Sequence, residues 1–223
     1  AAINSCALGR HQSVVELKTF WENQSVAIIF FRRWGCMFCR LWAKELAEIA
    51  PVLAKHNIKL VGIGVEEAGS KEFIDGKFFD GDLYCVDNLS TYQLLGFKRF
   101  NVVTIITSLF WKQSRDAIFK GRGMGLESDL IGDGMQNGGG LLVVTGGKIK
   151  YHFAAIGPAD RLPNLEILEV NLHVDYVLMM GRVILSNFFL QNFKIQRRPY
   201  IYCATAKSNC KRVWSLSLVD GLT

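Results

Sequence analysis

The sequence lacks the features that mark several special classes of protein. It has no internal repeat and no low-complexity tract, and 21% of its 223 residues are charged, so a disordered chain is not expected. Its six cysteines are too few for a disulfide scaffold and show no framework spacing. We recognise no secretory signal at the start of the sequence. A reduced compartment, the cytosol, is therefore the expected location.

The sequence also lacks a long uncharged apolar run. The most membrane-like segment, residues 174–193, contains Asp175 and Arg182. A charged side chain near the centre of a membrane helix costs about 2.5–3.5 kcal/mol on insertion scales. We therefore predict no transmembrane helix in this segment and expect no membrane association; a membrane-surface element in the basic residues 173–223 is the alternative.

Strong overall basicity is missing from most of the chain. The net charge is +6, but residues 1–172 hold 19 basic and 18 acidic residues, a net charge of +1. Residues 173–223 hold 7 basic and 2 acidic residues, a net charge of +5. The main part of the chain thus carries no electrostatic footprint for nucleic acid, and we predict no nucleic-acid partner.

The most informative feature present is a pair of cysteines separated by two residues, Cys36 and Cys39. The pair follows an unbroken apolar run at residues 26–31 and precedes an amphipathic segment at residues 39–55. This order of buried strand, CxxC and helix is typical of a thiol–disulfide redox site. A thiolate at the first turn of a helix lies near unpaired N–H groups, which lowers its pKa. Arg33 and Arg40 flank the pair, and we expect them to lower the pKa further.

Zinc binding is the main alternative for these cysteines. Structural zinc needs four ligands, which usually come as two such pairs. The sequence has no second CxxC, and Cys203 and Cys210 are separated by six residues with no histidine nearby. We therefore predict no metal site.

The pattern along the chain predicts an α/β protein with a central mixed sheet flanked by helices. Apolar strands at 26–32 and 58–65 enclose the helix at 39–55 as a βαβ unit. Residues 141–145 and 148–153, joined by Gly146-Gly147, predict a β-hairpin. A final helix at 162–172 completes the skeleton of a thioredoxin-like fold.

Other segments are less definite. We predict a third strand at 83–86 and a short helix at 90–95 with Ser90 as its N-cap. Residues 102–110 fit a helix or a strand equally well. The glycine-rich residues 121–140 predict a loop.

Several stretches resemble the peroxiredoxin-like 2 family. The resemblance covers residues 6–172 in order, and these motifs together are much more specific than CxxC alone. They are FRRWGCMFCR at 31–40, LVGIG at 60–64, LLGFKRFN at 94–101 and GDGMQNGGGLLVV at 132–144. His152-Phe153 continues the match. From residue 173 onward nothing resembles the family, so we predict a redox domain at 1–172 and an atypical C-terminal extension of unknown structure at 173–223.

The resemblance implies a cytosolic enzyme with a thioredoxin-like fold. The implied reaction is reductive opening of the endoperoxide of prostaglandin H2 or prostamide H2 to the F-type product. Cys36 and Cys39 would be the catalytic residues, thioredoxin would be the reductant, and NADPH would act only through thioredoxin. No tightly bound cofactor is implied. The substrate would be a lipid endoperoxide or another peroxide.

The order of attack by the two cysteines is open at this stage. In a thioredoxin register the first cysteine is more exposed, whereas the Thr-x-x-Cys motif of ordinary peroxiredoxins places the reactive residue second. The unpaired N–H groups of the first helical turn favour Cys36. Two other functions also fit the pair, namely a general thiol peroxidase and a redox-sensing interaction protein.

Overall fold

Strand β3 (Ser25–Phe30) lies in the interior of the sheet, and its residues from Val26 to Phe30 are fully buried. A run that is apolar on both faces suits a strand that is covered on each side. The computed structural model describes residues 2–5, 14–86, 88–129, 131–172, 194–203 and 210–219.

The secondary structure alternates strands and helices over most of the described chain. The strands are β1 (Ala2–Ser5), β2 (Val14–Glu16), β3, β4 (Ile58–Gly64), β5 (Asp82–Val86), β6 (Gly139–Val143), β7 (Ile149–Ala154), β8 (Lys194–Cys203) and β9 (Cys210–Val219). The helices are α1 (Met37–Lys55), α2 (Ser70–Asp75), α3 (Ser90–Leu94), α4 (Val102–Leu109), α5 (Lys112–Gly123) and α6 (Asn164–Leu172), and a 3₁₀ turn covers Leu17–Phe20.

The main sheet is mixed, as predicted. Its strands lie in the order β2-β1-β5-β4-β3-β6-β7. Strands β3, β4 and β5 pair in parallel, and the other neighbours pair antiparallel. The β3-α1-β4 crossover, the β6-β7 hairpin and the flanking helices confirm the predicted α/β, thioredoxin-like fold.

The chain divides into two units, Ala1–Asn171 and Leu172–Thr223. In the second unit β8 and β9 pair antiparallel with each other. The segment 174–193, considered above as a membrane span, lies outside the described residues. Among the helices that are described, none has both the length and the apolar character needed to cross a bilayer.

The hairpin prediction is confirmed in detail. Leu141 pairs with His152, and the chain reverses through Gly146 and Gly147. These glycines have φ angles of 84° and 91°, in the left-handed region where a side chain would be strained.

Helix α1 begins two residues earlier than predicted, at Met37. Cys36 is therefore its N-cap residue, with extended backbone (φ −79°, ψ 125°), and Cys39 lies in the first turn. Pro51 lies inside the helix. This placement puts both sulfurs at the positive end of the helix dipole.

The structure decides three other predictions, which concern the chain between β5 and β6. Ser90 is the first residue of α3 rather than its cap, and its N–H donates to Asn88 Oδ1 at 2.9 Å. The undecided segment 102–110 is helical because the Asn101 side chain caps α4, accepting the N–H of Thr104 at 2.7 Å. The predicted loop at 121–140 is partly wrong, since α5 continues to Gly123.

Gly138, the residue before β6, lies very close to the backbone of β3. A Cβ atom there would lie 2.1 Å from the carbonyl oxygen of Phe30. Two hydrogen bonds hold the site in place, from the Gly138 N–H to Asn137 Oδ1 (2.9 Å) and from the Ala155 N–H to the Gly138 carbonyl (3.1 Å). The chain at Gly138 cannot move away without breaking these bonds.

Gly138→Ala is therefore expected to lower the free energy of unfolding by about 2–4 kcal/mol. Urea denaturation of the reduced protein measures the change. Gly123→Ala is the matched control, because a Cβ there meets nothing within 4 Å. Equal denaturation midpoints for the two variants would contradict the close approach at Gly138.

Candidate active site

Cys36 and Cys39 lie together at the N-terminus of α1 as free thiols. The first intrahelical bond runs from the Arg40 N–H to the Cys36 carbonyl at 2.9 Å. Both side chains are buried, with 3% of Cys36 and 5% of Cys39 exposed. Residues three apart at a helix start share one face, so the two sulfurs lie within reach of each other.

Arg32 is the cation that contacts the reactive sulfur. Its Nη2 donates to Cys36 Sγ at 2.8 Å, and its Nη1 donates to the Gly134 carbonyl at 2.5 Å. Only 9% of Arg32 is exposed. A buried guanidinium that donates to sulfur stabilises the thiolate over the thiol.

The predicted role of Arg33 and Arg40 is wrong. Arg33 Nη2 donates to the Asp129 carbonyl at 2.7 Å. Arg40 Nη2 pairs with Asp129 Oδ2 at 2.8 Å, and its Nη1 donates to the Glu127 carbonyl at 2.8 Å. Through these bonds the two arginines hold the 127–129 segment beside the site. Arg32, by contrast, donates to Cys36 Sγ.

The two cysteines have opposite pKa shifts. The hydrogen bond from the Cys39 thiol holds the pKa of Cys36 well below its usual range; burial opposes this shift, and the charge of Arg32 and the backbone N–H of Cys39 favour it. The same hydrogen bond, together with burial and the negative charge on Cys36, raises the pKa of Cys39 well above its usual range. Of the two cysteines, Cys36 is therefore the one that loses its proton more readily, and Cys39 is the one that keeps it.

The thiolate borders a pocket of about 390 Å³. Ile105 and Leu109 of α4 and Ile118 of α5 form an apolar wall, and Met135 contributes from the 131–138 segment. Cys39 instead borders a space of only about 20 Å³ beside Trp42. A volume near 400 Å³ falls within the range that holds small organic ligands, and Cys36 is the cysteine that faces it.

Two of the stretches that carry the family resemblance meet at this pocket. The Phe100 N–H donates to the Met135 carbonyl at 2.7 Å, and Arg99 pairs with Asp133 at 2.6 Å. The Asn137 N–H donates to the Lys98 carbonyl at 3.1 Å. Segments that lie more than thirty residues apart in sequence therefore hold Met135 in the pocket wall.

Three other residues, Trp34, His152 and Cys85, have structural contacts. Trp34 packs against Phe73, with ring centroids 4.8 Å apart, and donates to the Glu66 carbonyl at 2.6 Å. His152 is exposed, and its ring stacks on Phe97. Cys85 is buried and disulfide-bonded.

Within the part of the chain that the structure describes, no group of three or more His, Cys, Asp or Glu residues is placed to hold a metal ion. The backbones of Cys203 and Cys210 pair across β8 and β9.

A thioredoxin-like fold with a thiolate at the mouth of an apolar pocket defines a thiol oxidoreductase of the peroxiredoxin-like class. Residues 45–156 match the family described as AhpC/TSA antioxidant enzyme. Because the matched residues begin after Cys36 and Cys39, the proposed roles of these cysteines rest on the geometry above.

Three proteins with known names are similar to this chain. The chain is 42% identical to the prostamide/prostaglandin F synthase of Xenopus laevis over 157 residues, which cover 70% of this chain and 78% of that protein. It is 37% identical to the synthase of the same name from Homo sapiens over 174 residues, covering 76% and 87%. A reduced 2-Cys peroxiredoxin from Plasmodium vivax aligns at 12% identity with a TM-score of 0.48, covering 81% of each chain.

The chain belongs to the AhpC/TSA antioxidant enzyme family, and the predicted resemblance to peroxiredoxin-like 2 proteins is confirmed. It is an oxidoreductase that acts on peroxides. The individual roles of Cys36 and Cys39 stay predictions.

Proposed function

We propose that this enzyme reduces the cyclic peroxide of a lipid, of the prostaglandin H2 or prostamide H2 type, to the F-type diol. The printed names of its relatives support this substrate class. The observation that carries the proposal is the position of the Cys36 thiolate at an apolar pocket of about 390 Å³. The walls from α4 and α5 suit the hydrocarbon chains of such a lipid.

The first step is attack by the Cys36 thiolate on one peroxide oxygen. An S–O bond forms, the O–O bond breaks, and the second oxygen leaves as an alkoxide that takes a proton to become the first hydroxyl. Arg32 lies 2.8 Å from Cys36 Sγ, so its charge also stabilises the negative charge that develops on that oxygen.

The second step is attack by Cys39 on the sulfur of Cys36. The S–O bond breaks, the Cys36–Cys39 disulfide forms, and the remaining oxygen leaves with the proton of the Cys39 thiol. The pKa of Cys39 is raised while Cys36 carries a negative charge. Once Cys36 is bonded to oxygen that charge is gone, and Cys39 passes its proton to the leaving oxygen as it attacks. Two thiols are oxidised to one disulfide, and one endoperoxide is reduced to two hydroxyl groups.

Thioredoxin is the proposed reductant of the disulfide, with NADPH supplying electrons to thioredoxin in the cytosol. Because the disulfide forms between residues of one chain, exchange with an external dithiol returns both thiols. The enzyme itself then needs no tightly bound cofactor.

A substrate comparison tests the proposal. With thioredoxin, its reductase and NADPH present, we expect prostaglandin H2 to give the F-type product with NADPH consumed in equal amount. Hydrogen peroxide is the matched substrate without a hydrocarbon chain, and it should turn over more slowly because it gains nothing from the apolar wall. Faster turnover of hydrogen peroxide with no F-type product would favour a general thiol peroxidase. Catalytic turnover of neither substrate would favour a redox sensor.

A further inference from the structure

Helix α4 exposes several of its apolar side chains. Val102, Val103 and Ile106 are 57%, 68% and 53% exposed, whereas the side chain of Ser108 is completely buried. A surface helix normally buries its apolar stripe and exposes its polar residues. The exposed apolar side of α4 is therefore available for a partner other than the core.

The exposed apolar side extends past the end of the helix. Leu109 and Phe110 are 40% and 76% exposed, and Trp111 follows with 40% exposed. Contiguous apolar exposure of this kind marks an interaction surface. We call it the α4 surface, and it consists of Val102, Val103, Ile106, Leu109, Phe110 and Trp111.

Basic residues flank the α4 surface in sequence. Residues 98–115 contain four basic residues and no acidic residue. Arg99 and Lys112 have ion pairs, with Asp133 and Asp116. Among the described residues, Lys98 and Arg115 have no acidic partner within salt-bridge distance. An apolar surface with a basic border complements anionic lipid headgroups above acyl chains.

The α4 surface is continuous with the candidate active site. Leu109 belongs to the surface and also lines the pocket of Cys36, together with Ile105 of the same helix. On α5, Arg115 and Arg122 lie about one turn on either side of Ile118, which lines the same pocket, so they share its side of the helix. Leu109 thus joins the α4 surface to the pocket of Cys36.

We propose that the α4 surface docks the enzyme reversibly on an anionic membrane. Phe110 and Trp111 would lie at headgroup depth, where aromatic rings are favoured, and Lys98 and Arg115 would face the lipid phosphates. The pocket would then open toward the bilayer, and this consequence alone rests on the proposed function. Helix α4 has only eight residues, which is too short to span a membrane, so it would bind at the membrane surface.

Vesicle sedimentation with the full chain tests the proposal. We expect binding to vesicles that contain phosphatidylserine in phosphatidylcholine, little binding to pure phosphatidylcholine, and weaker binding as the salt concentration rises. The double variant Ile106→Gln/Phe110→Gln should reduce the bound fraction by at least about fivefold. Tryptophan emission should shift to the blue on binding, and this shift should shrink in Trp111→Phe.

The matched control is the double variant Leu94→Gln/Ile149→Gln. These residues are 84% and 56% exposed on α3 and β7, away from the α4 surface, and their substitution should leave binding unchanged. Retention of the wild type in the supernatant, or equal loss in both double variants, would overturn the proposal. Two other results would also overturn the proposal if the wild type does not bind vesicles. One is a dimer that forms as the protein concentration rises and is lost only in the Ile106/Phe110 variant. The other is tight binding of thioredoxin that is lost only in the same variant. Because vesicle binding is measured without substrate, its result is independent of the proposed reaction.

Discussion

Cys36→Ser is expected to reduce turnover of the endoperoxide by at least about a thousandfold. A serine hydroxyl is not ionised near neutral pH, and it cannot form the S–O bond or the later disulfide. The measurement is formation of the F-type product with thioredoxin and NADPH in excess. Because Cys36 is buried and serine is nearly the same size, circular dichroism and urea denaturation should show that the variant is folded.

Cys39→Ser is the matched variant and should behave differently. Its Cys36 can still attack the peroxide, but no neighbouring thiol resolves the S–O bond. We expect at most one equivalent of product per protein and an oxygen-bearing adduct on Cys36 that mass spectrometry detects. The reverse result would assign the attack to Cys39. In that case Cys39→Ser would fail at the first step, and Cys36→Ser would trap an adduct on Cys39.

Arg32→Gln is expected to slow the reaction of Cys36 at neutral pH by roughly 10–100-fold. The variant removes the charge 2.8 Å from the sulfur, so the pKa of Cys36 rises and less thiolate is present. The sign is clear, because a cation favours the ionised form of a thiol. Alkylation by iodoacetamide as a function of pH, followed at Cys36 by mass spectrometry, should show the inflection moving to higher pH.

Arg40→Gln provides the matched control for Arg32→Gln. The Arg40 side chain is also buried, with 8% exposed, but it pairs with Asp129 rather than with sulfur. This variant should lose stability while the alkylation profile of Cys36 changes little. Arg32→Lys should recover part of the reactivity because it keeps the charge. Equal alkylation profiles in Arg32→Gln and wild type would show that Arg32 does not stabilise the thiolate.

The sequence predicted the framework of the site because strong local patterns encode it. The fully apolar run of β3, the CxxC pair and the amphipathic α1 each depend on neighbouring residues. The Gly146-Gly147 turn likewise fixes the β6-β7 hairpin through backbone conformation. These features do not need knowledge of distant parts of the chain.

The choice among the three arginines could not be predicted. Arg32, Arg33 and Arg40 all lie near the pair in sequence, and which one contacts the sulfur depends on the path of the chain from β3 through Gly35 to α1. That path is held by distant partners, since Arg32 donates to Gly134 and Arg40 pairs with Asp129. A strand pattern carries no information about such contacts.

The pocket was missed for a related reason. Its apolar wall comes from α4, a segment whose composition fits a helix or a strand. The Asn101 cap gives one local signal for the helix, but no local signal shows that Ile106 and Val103 face outward. Apolar residues are ordinarily assigned to the core. Only the structure shows that Val103 and Ile106 are exposed while Ser108 is buried.

A single-turnover reaction with stoichiometry tests the central claim most directly. Fully reduced protein is mixed with a small excess of prostaglandin H2 without thioredoxin, and both the F-type product and the disulfides are measured. The account predicts one equivalent of product for each Cys36–Cys39 disulfide formed. F-type product that appears without this disulfide, or a disulfide that forms without the product, would contradict it.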